Sequence, residues 1–308
     1  LTRGLKGEVL TEMSDLTDAG CVGFSQAEVP LENTQVLQRA LQYAATFGYT
    51  VWLRPQDMHL GKGVAASGPL ATRLGLSGVP VAAETIALHT IFALMRSTKA
   101  RVHLCRSSSA EGVELVRAAK KEGLAVTADV SINSLHLSDH DIGYFDSRAR
   151  VTPVLRQQRD REALRAALAD GTLDALVSDH TPIDNDGKAL PFAEAESGAT
   201  GLELLLSLSL KWAQDSRVSV LRALDVLTAQ PAKVLGKVQG QSTSLGQLHV
   251  GGVADIVVFD PAVEWHVSPD ALHSQGKHTP FAFDMTGMSL PARVKATLVA
   301  GHVAYQAA

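Results

Sequence analysis

Cysteine is scarce in this sequence. The chain has only two, Cys21 and Cys105, which lie far apart and lack the short spacing of a zinc-binding pair. This argues against a small scaffold held by disulfides and favours a reducing, cytoplasmic compartment. Both cysteines lie in apolar stretches typical of strands, so we expect two buried thiols.

Long apolar runs and an excess of basic charge are also missing. No stretch approaches the roughly 20 apolar residues of a membrane-spanning helix, so we expect no membrane association. The formal net charge is -4, and no basic stripe indicates nucleic-acid binding. The chain begins at Leu1 with neither Met nor a signal peptide, and we expect a fragment: either upstream residues complete the fold or this chain does not fold alone.

Apolar residues are plentiful and follow a pattern. The chain has 308 residues, 45% of them hydrophobic, which suffices for one large domain or for a large and a small one. Five short stretches are apolar nearly throughout, which is typical of parallel strands buried on both faces. These predicted strands are Gly20–Ser25, Thr50–Pro55, Ala100–Cys105, Leu124–Val130 and Leu173–Asp179.

Helical patterns lie between these strands. The first helix is predicted to end at Gly48 and to bury one stripe: Val36, Leu37, Ala40, Leu41 and Ala44. Strands that alternate with helices predict an α/β fold with a parallel sheet, either closed into a barrel or doubly wound. No glycine-rich phosphate loop follows a strand, which weighs against dinucleotide binding.

The pattern changes after about residue 240. The stretches "GQLHVGGVADIVVFDP" and "RVKATLVAGHVAYQ" are typical of strands separated by turns. We therefore predict a β/α barrel over residues 1–240, incomplete at its N-terminus, and a small β-sandwich module over residues 241–308.

Polar residues mark the carboxyl ends of the predicted strands, which is where barrels carry their chemistry. The strands run in order into "SQAEVP", "RPQD", "CRSSS", "SINSL" and "SDH". The last of these contains Asp179 and His180, the clearest acid–base pair in the set. His103 lies inside its strand, and we expect it either to be packed in the core or to support residues of the site through a hydrogen bond.

Several longer stretches match a known pattern when taken together, among them "LGLSGVPVAAETIAL", "RVHLCRSSSAEGVELVRAAKKEGLAVTADV", "LDALVSDHTP" and "GGVADIVVFDP". With these the chain resembles the dihydroorotases of the cyclic amidohydrolase superfamily over essentially its whole length. The resemblance implies a zinc-bearing (β/α)8 TIM-type barrel with a small β-sandwich. In such sites the metal generates hydroxide and polarises the amide carbonyl. It also implies that Asp179 occupies the position of the family's catalytic base.

The chain departs from the family at the metal ligands. The family's His-x-His pair falls upstream of Leu1, its bridging Asp is replaced by Gln26 or Ala27, and two of its histidines are replaced by Arg54 and Arg106. Arginine keeps its proton and offers no lone pair to a cation. The family's substrate-side positions are degenerate as well, at Ala66, Asn133, Ser134, Thr152 and Ile183.

We therefore expect a non-catalytic dihydroorotase-like protein, a pseudoenzyme without a bound metal or other cofactor. Asp179 would be vestigial and would pair with Arg54 or Arg106. The resemblance also implies a partner, the catalytic subunit of aspartate transcarbamoylase, which such inactive chains hold in a larger oligomeric complex of pyrimidine biosynthesis.

Two alternatives remain open at this point. The chain could be an active zinc dihydroorotase or related cyclic amidase, with one zinc held by the upstream histidine pair and Asp179. It could also be a regulatory module that binds an anion between its arginines.

Overall fold

The structure is a computed structural model that describes residues 1–236, 245–283 and 287–307. The chain divides into two compact units. The first comprises Leu1–His140 and Thr152–Ala175, and the second comprises Asp141–Val151 and Leu176–Ala308. The predicted boundary between residues 240 and 241 lies outside the described residues, so that division of the chain stays a prediction.

The strands of the described residues are β1 (Phe24–Ser25), β2 (Thr50–Leu53), β3 (Ala65–Ala66), β4 (Gly78–Val79), β5 (Arg101–Leu104), β6 (Val126–Ser131), β7 (Ala175–Val177), β8 (Ile256–His266), β9 (Ser289–Val299) and β10 (His302–Gln306). The α-helices there are α1 (Met13–Asp18), α2 (Thr34–Phe47), α3 (Pro69–Leu74), α4 (Ala82–Thr98), α5 (Ala110–Glu122), α6 (Ile132–His136), α7 (Gln158–Asp170), α8 (Asn185–Ala189), α9 (Leu205–Ser216), α10 (Val220–Asp225) and α11 (Ala229–Leu235). Short 3-10 helices cover Arg3–Leu5, Asp139–Ile142, Ser147–Ala149, Leu202–Leu204 and Pro269–Ala271.

A parallel sheet forms the core of the first unit. Its order is β1-β2-β5-β6, and β7, whose first residue belongs to this unit, is the next strand. The register pairs Val51 with Val102, and Val102 with Val126. Val51 and Val102 are fully buried, as expected for strands covered on both faces. The prediction of parallel, doubly covered strands is confirmed.

The helices of the first unit begin and end where local chemistry predicts. Asn33 accepts hydrogen bonds from the backbone N–H groups of the first turn of α2, and Gly48 ends that helix with a φ of 72°. The predicted apolar stripe of α2 is buried in full: Val36, Leu37, Ala40, Leu41 and Ala44. An amphipathic face packed on the sheet is the main source of stability for such a helix.

The first strand is shorter than predicted, and this corrects one expectation. Cys21 is exposed, because its backbone N–H donates to Leu16 O at 2.9 Å and the residue belongs to the turn that ends α1. Gly20 makes this turn with a φ of 97°. The prediction of two buried thiols was therefore wrong for Cys21, and Cys105 is partly buried.

The second unit contains an antiparallel sheet of order β10-β9-β8. Helix α9 packs on it: Ser207 donates to Ala292 O at 3.2 Å and accepts from the indole N–H of Trp265 at 3.3 Å. Strands β8, β9 and β10 overlap the two stretches that predicted them, although β8 continues to His266 and β9 begins at Ser289. The β-rich character of the C-terminal part is confirmed. No helix among the described residues combines the length and the apolar character that crossing a membrane requires.

Candidate functional site

Two arginines follow neighbouring strands of the parallel sheet. Arg54 comes directly after β2, and Arg106 lies two residues beyond the end of β5. Since Leu53 is in register with Leu104, both side chains start from the same edge of the sheet. Their side chains are only 8% and 14% exposed. Guanidinium groups this deeply covered need a counter-charge.

Glu28 supplies that counter-charge to both arginines. Its Oε2 lies 2.9 Å from Arg54 Nε, and its Oε1 accepts a hydrogen bond from Arg106 Nη2. The Glu28 backbone carbonyl also accepts from Arg54 Nη2 at 3.2 Å. One carboxylate therefore bridges two guanidiniums that come from different strands.

Further bonds fix the direction of each guanidinium. Arg54 Nη1 donates to the side chain of Gln56, and Gln56 in turn donates to Gly61 O at 3.1 Å. Arg106 Nη1 donates to Thr152 O at 3.2 Å. Thr152, a predicted substrate-side position, thus presents its backbone carbonyl to an arginine.

The side chain of Gln26 forms its hydrogen bonds with Thr2 and Leu5. Its side chain is buried, accepts hydrogen bonds from both the N–H and the hydroxyl of Thr2, and donates to Leu5 O at 2.9 Å. The residue therefore ties the first residues of the chain to the sheet. Ala27, the other residue at the bridging-ligand position, has a φ of 51° and carries no ligand atom on its side chain.

A buried polar cluster lies behind the arginines. His103 is 1% exposed; its Nε2 lies 2.9 Å from Asp129 Oδ2 and its Nδ1 lies 2.8 Å from Thr127 Oγ1. The other carboxylate oxygen of Asp129 accepts from the backbone N–H of Arg106 at 2.6 Å. The φ of 58° at Arg106 permits this contact. His103 is therefore packed in the core, as one of the two predictions for it has it, and its ring also supports Asp129 through a hydrogen bond.

The same cluster is the one group of potential metal ligands within the described residues, since His103, Cys105 and Asp129 bring their ligand atoms within 4.8 Å of one another. Burial raises the pKa of the Cys105 thiol well above its ordinary value, and the charge of Asp129 raises it further. His103 and Asp129 already use their ring nitrogens and carboxylate oxygens in the hydrogen bonds given above, so these residues form a buried hydrogen-bond network.

The remaining substrate-side positions of the first unit are buried. Ala66 lies in an apolar cluster with Val79, Ala83 and Val154. Asn133 and Ser134 are buried in the single turn of α6. Among the described residues, nothing accepts or donates a hydrogen bond at Ser134 Oγ.

Asp179, His180 and Ile183 lie in the second unit. Asp179 follows β7, is half-buried and has a φ of 48°. His180 Nδ1 accepts from the backbone N–H groups of Gly201 and Leu202 at 3.2 and 3.3 Å, which places the proton of a neutral ring on Nε2. Ile183 is half-buried just before α8. An ion pair of Asp179 with an arginine stays a prediction.

Two residues of this region escaped the sequence analysis. Glu28 is part of "SQAEVP", but an acidic residue in a polar loop is ordinary and carries no signal of its own. Asp129 carried a signal, because it is a single carboxylate inside an otherwise apolar strand. Charged residues in such positions are almost always paired.

Known proteins resemble the chain over its whole length. The model of the Amidohydrolase family matches residues 82–304. The dihydroorotase of Geobacter sp. (strain M21) is 39% identical over 308 residues, which is 100% of this chain and 70% of that protein. The dihydroorotase-like protein of Pseudomonas aeruginosa is 40% identical over 307 residues, 99% of this chain and 70% of that protein. The chain belongs to the dihydroorotase family of amidohydrolases.

Solved structures of related amidohydrolases share the fold of this dihydroorotase-family chain. The dihydropyrimidinase from Brevibacillus agri aligns with a TM-score of 0.81 at 21% identity, over 95% of this chain and 65% of that one. The L-hydantoinase from Arthrobacter aurescens aligns with a TM-score of 0.81 at 24% identity, over 96% of this chain and 67% of that one. The predicted α/β fold of TIM-barrel type is confirmed, and the chain spans less than two thirds of the Brevibacillus protein.

The described residues at the family's metal positions do not fit a zinc ion. Zinc takes nitrogen, sulfur or carboxylate ligands. Arg54 and Arg106 offer protons and positive charge instead, and both form ion pairs with the carboxylate of Glu28. Gln26 directs its amide to Thr2 and Leu5. These strand ends therefore present two guanidinium groups and an amide that is already hydrogen-bonded.

Proposed function

We propose that this member of the dihydroorotase family is non-catalytic and serves as a structural subunit. One observation carries the proposal: the bridge of Glu28 between Arg54 and Arg106, at the strand ends where the family holds metal ligands. The carboxylate of Glu28 offsets one of the two positive charges without any metal. We expect the fold to form without bound zinc or another cofactor.

Electrostatics support this proposal. A divalent cation placed among these side chains would face two permanent positive charges, and repulsion at short range in a poorly solvated site is strong. It would also have to compete with both guanidiniums for Glu28. Each of these effects lowers zinc affinity, and hydrolysis of a cyclic amide by this family's chemistry needs the metal-bound hydroxide.

The proposed partner is the catalytic subunit of aspartate transcarbamoylase, in a cytoplasmic oligomer that serves de novo pyrimidine biosynthesis. The resemblance to inactive dihydroorotase-like chains motivates this assignment. It is supported by what the chain retains, a parallel sheet and a C-terminal β-rich part, beside altered strand ends. Selection for a scaffold role preserves the residues that form the fold, and it does not preserve metal ligands.

Zinc content is the measurement that tests the loss of catalysis. The full-length protein, purified without added metal or chelator, is analysed for zinc per chain by elemental analysis. We expect near-zero zinc in a folded, monodisperse sample. The double variant Arg54→His and Arg106→His is the matched control, because it restores imidazole ligands at the two positions and should bind more zinc than the unmodified chain.

About one zinc per chain in the unmodified protein would overturn the proposal. It would favour an active zinc cyclic amidase that holds the metal through an upstream histidine pair and Asp179. Hydrolysis of cyclic ureides would then be assayed at neutral pH. Zinc binding without hydrolysis would still contradict the metal-free part of the proposal.

A further inference from the structure

We propose that Arg54 and Arg106 form a binding site for a small carboxylate, and that Glu28 occupies this site as a tethered ligand. This goes beyond the proposed structural role and does not rest on it. A subunit that only holds a partner has no need of such a site, and a carboxylate site needs no partner.

Two guanidiniums contact the two oxygens of one carboxylate. Arg54 Nε lies 2.9 Å from Glu28 Oε2 in an ion pair, and Arg106 Nη2 donates a hydrogen bond to Glu28 Oε1. Each oxygen is thus contacted by a guanidinium from a different strand. Guanidinium groups recognise planar carboxylates by such paired contacts, and bonds between two charged groups are stronger than neutral ones.

The two guanidiniums are held in place by bonds that do not involve the Glu28 side chain. Arg54 donates to Gln56 and, through Nη2, to the backbone carbonyl of Glu28. Arg106 donates from Nη1 to Thr152 O at 3.2 Å, and its backbone N–H is fixed by Asp129 at 2.6 Å. Removal of the Glu28 carboxylate would therefore leave a pre-organised pair of donors. A ligand entering such a site avoids much of the ordering cost of binding.

Exposure differs sharply across this group. The side chains of Arg54 and Arg106 are 8% and 14% exposed, whereas that of Glu28 is 56% exposed. The carboxylate therefore lies on the solvent side of the arginines, on a turn closed by the bond from Val29 N–H to Gln26 O at 3.2 Å. Rotation of the Glu28 side chain into water would uncover both guanidiniums without opening the core.

The tethered carboxylate competes with any ligand from solution. A group attached by a short flexible link acts at an effective concentration of about a millimolar or more. A ligand that binds too weakly to displace the Glu28 carboxylate leaves much of the site occupied by Glu28. Glu28 therefore raises the ligand concentration that is needed to fill the site. Removal of its charge should therefore tighten binding of an external carboxylate.

The test is isothermal titration of malonate at constant ionic strength into the full-length protein and three variants. We expect Glu28→Ala and Glu28→Gln each to bind malonate at least ~10-fold more tightly than the unmodified chain. Glu32→Ala is the matched control, because Glu32 is an exposed carboxylate on the same segment that pairs with His59 at 3.2 Å instead. It should leave malonate affinity unchanged.

Two further titrations test which residues bind the ligand and whether the site prefers a carboxylate. Adding Arg106→Gln to Glu28→Ala should abolish the gain, and inorganic phosphate should bind more weakly than malonate. The proposal fails if neither Glu28 variant binds more tightly, if Glu32→Ala gives the same gain, or if phosphate binds more tightly than malonate. Should Glu28→Ala not fold, Glu28→Gln decides alone, since it keeps the size of the side chain and removes only its charge.

Discussion

Charge balance at the level of single residues explains how altered strand ends remain compatible with this fold. Arg54 and Arg106 bring two poorly solvated positive charges, and Glu28 pairs with both. A buried charge that loses its partner costs several kcal/mol, about 3–5 in typical measurements. Glu28 is exposed, so the effect at this site is smaller than for a fully buried pair, because exposed ion pairs contribute about 1 kcal/mol or less.

The two cysteines should differ in reactivity because their surroundings differ. Cys21 is exposed, whereas burial raises the pKa of the Cys105 thiol and the charge of Asp129 adds to this effect. Only the thiolate reacts with disulfide reagents. At pH 8 we expect the Cys21→Ser variant, which retains Cys105, to react at least ~10-fold more slowly with an aromatic disulfide than Cys105→Ser does.

The pH dependence provides the check on that prediction. The rate of Cys105 should keep rising with pH up to the highest value at which the protein stays folded, because the thiolate fraction keeps growing. A plateau below pH 9 would contradict the raised pKa. Reaction in denaturant, where both thiols are solvated, should make the two variants equal.

Short elements owe their positions to contacts distant in sequence. Strand β7 covers Ala175–Val177, whereas its apolar pattern predicted Leu173–Asp179. On the N-terminal side of β7 the difference comes from contacts of Asp174 with residues distant in sequence. Its carboxylate accepts from Ala128 N–H at 2.8 Å and from Lys120 Nζ at 2.7 Å. Its side chain, and not only its backbone, joins this segment to the sheet.

Helix α8 is another short element, and a buried lysine secures it. Lys188 is 3% exposed and donates from Nζ to three backbone carbonyls, those of Ser147, Arg150 and Glu196, at 2.8 to 3.0 Å. Burial, with a smaller effect from the charge of Arg150, lowers its pKa to about 8. The folded protein therefore holds this proton less tightly than the unfolded chain does.

This shift predicts a pH effect with a definite sign. Below pH 8 Lys188 is protonated in both states, so the cost of burying its charge is fully present. Between pH 8 and the ordinary lysine pKa near 10.5, the unfolded chain binds more protons, and stability rises with pH. The Tm of the unmodified protein minus that of Lys188→Met should therefore increase from pH 7 to pH 9.5.

A matched pair of variants separates this effect from net charge. Lys121→Met removes an exposed lysine from α5, and its Tm difference corrects for the general change in charge with pH. The Tm difference for Lys188→Met, corrected by that for Lys121→Met, should rise with pH. A corrected Tm difference that stays constant or falls with pH would contradict the lowered pKa of Lys188.

Over the whole molecule, the chain combines the family's α/β fold with arginines at the ends of two neighbouring strands. The relatives that it resembles include proteins named dihydroorotase and others named dihydroorotase-like protein. A scaffold role requires only that the folded surface persists. Sedimentation velocity of the full-length protein mixed with the aspartate transcarbamoylase catalytic subunit should therefore give one species larger than either component alone.

Each component run separately, at the same concentration, is the control for self-association. Two boundaries that persist unchanged at every mixing ratio would contradict the proposed partner. The outcome is independent of zinc content, so the structural and metal-free parts of the proposal can fail separately.

The fold and part of the candidate site could be predicted from local patterns. The apolar strands, the buried stripe of α2 and the arginines at two strand ends are each set within a few residues of sequence. The exposure of Cys21 could not be predicted this way, because an apolar neighbourhood does not reveal that a turn rather than a strand holds the residue.

The sequence by itself determined that two strand ends carry arginine, whose guanidinium offers no lone pair to a metal whatever surrounds it. Only the tertiary structure decided which groups these arginines pair with. The pairing of Glu28 with Arg106 joins residues 78 positions apart, and that of His103 with Asp129 joins residues 26 apart. Such contacts depend on which strands become neighbours in the sheet and where each loop then runs, and no local pattern carries that information.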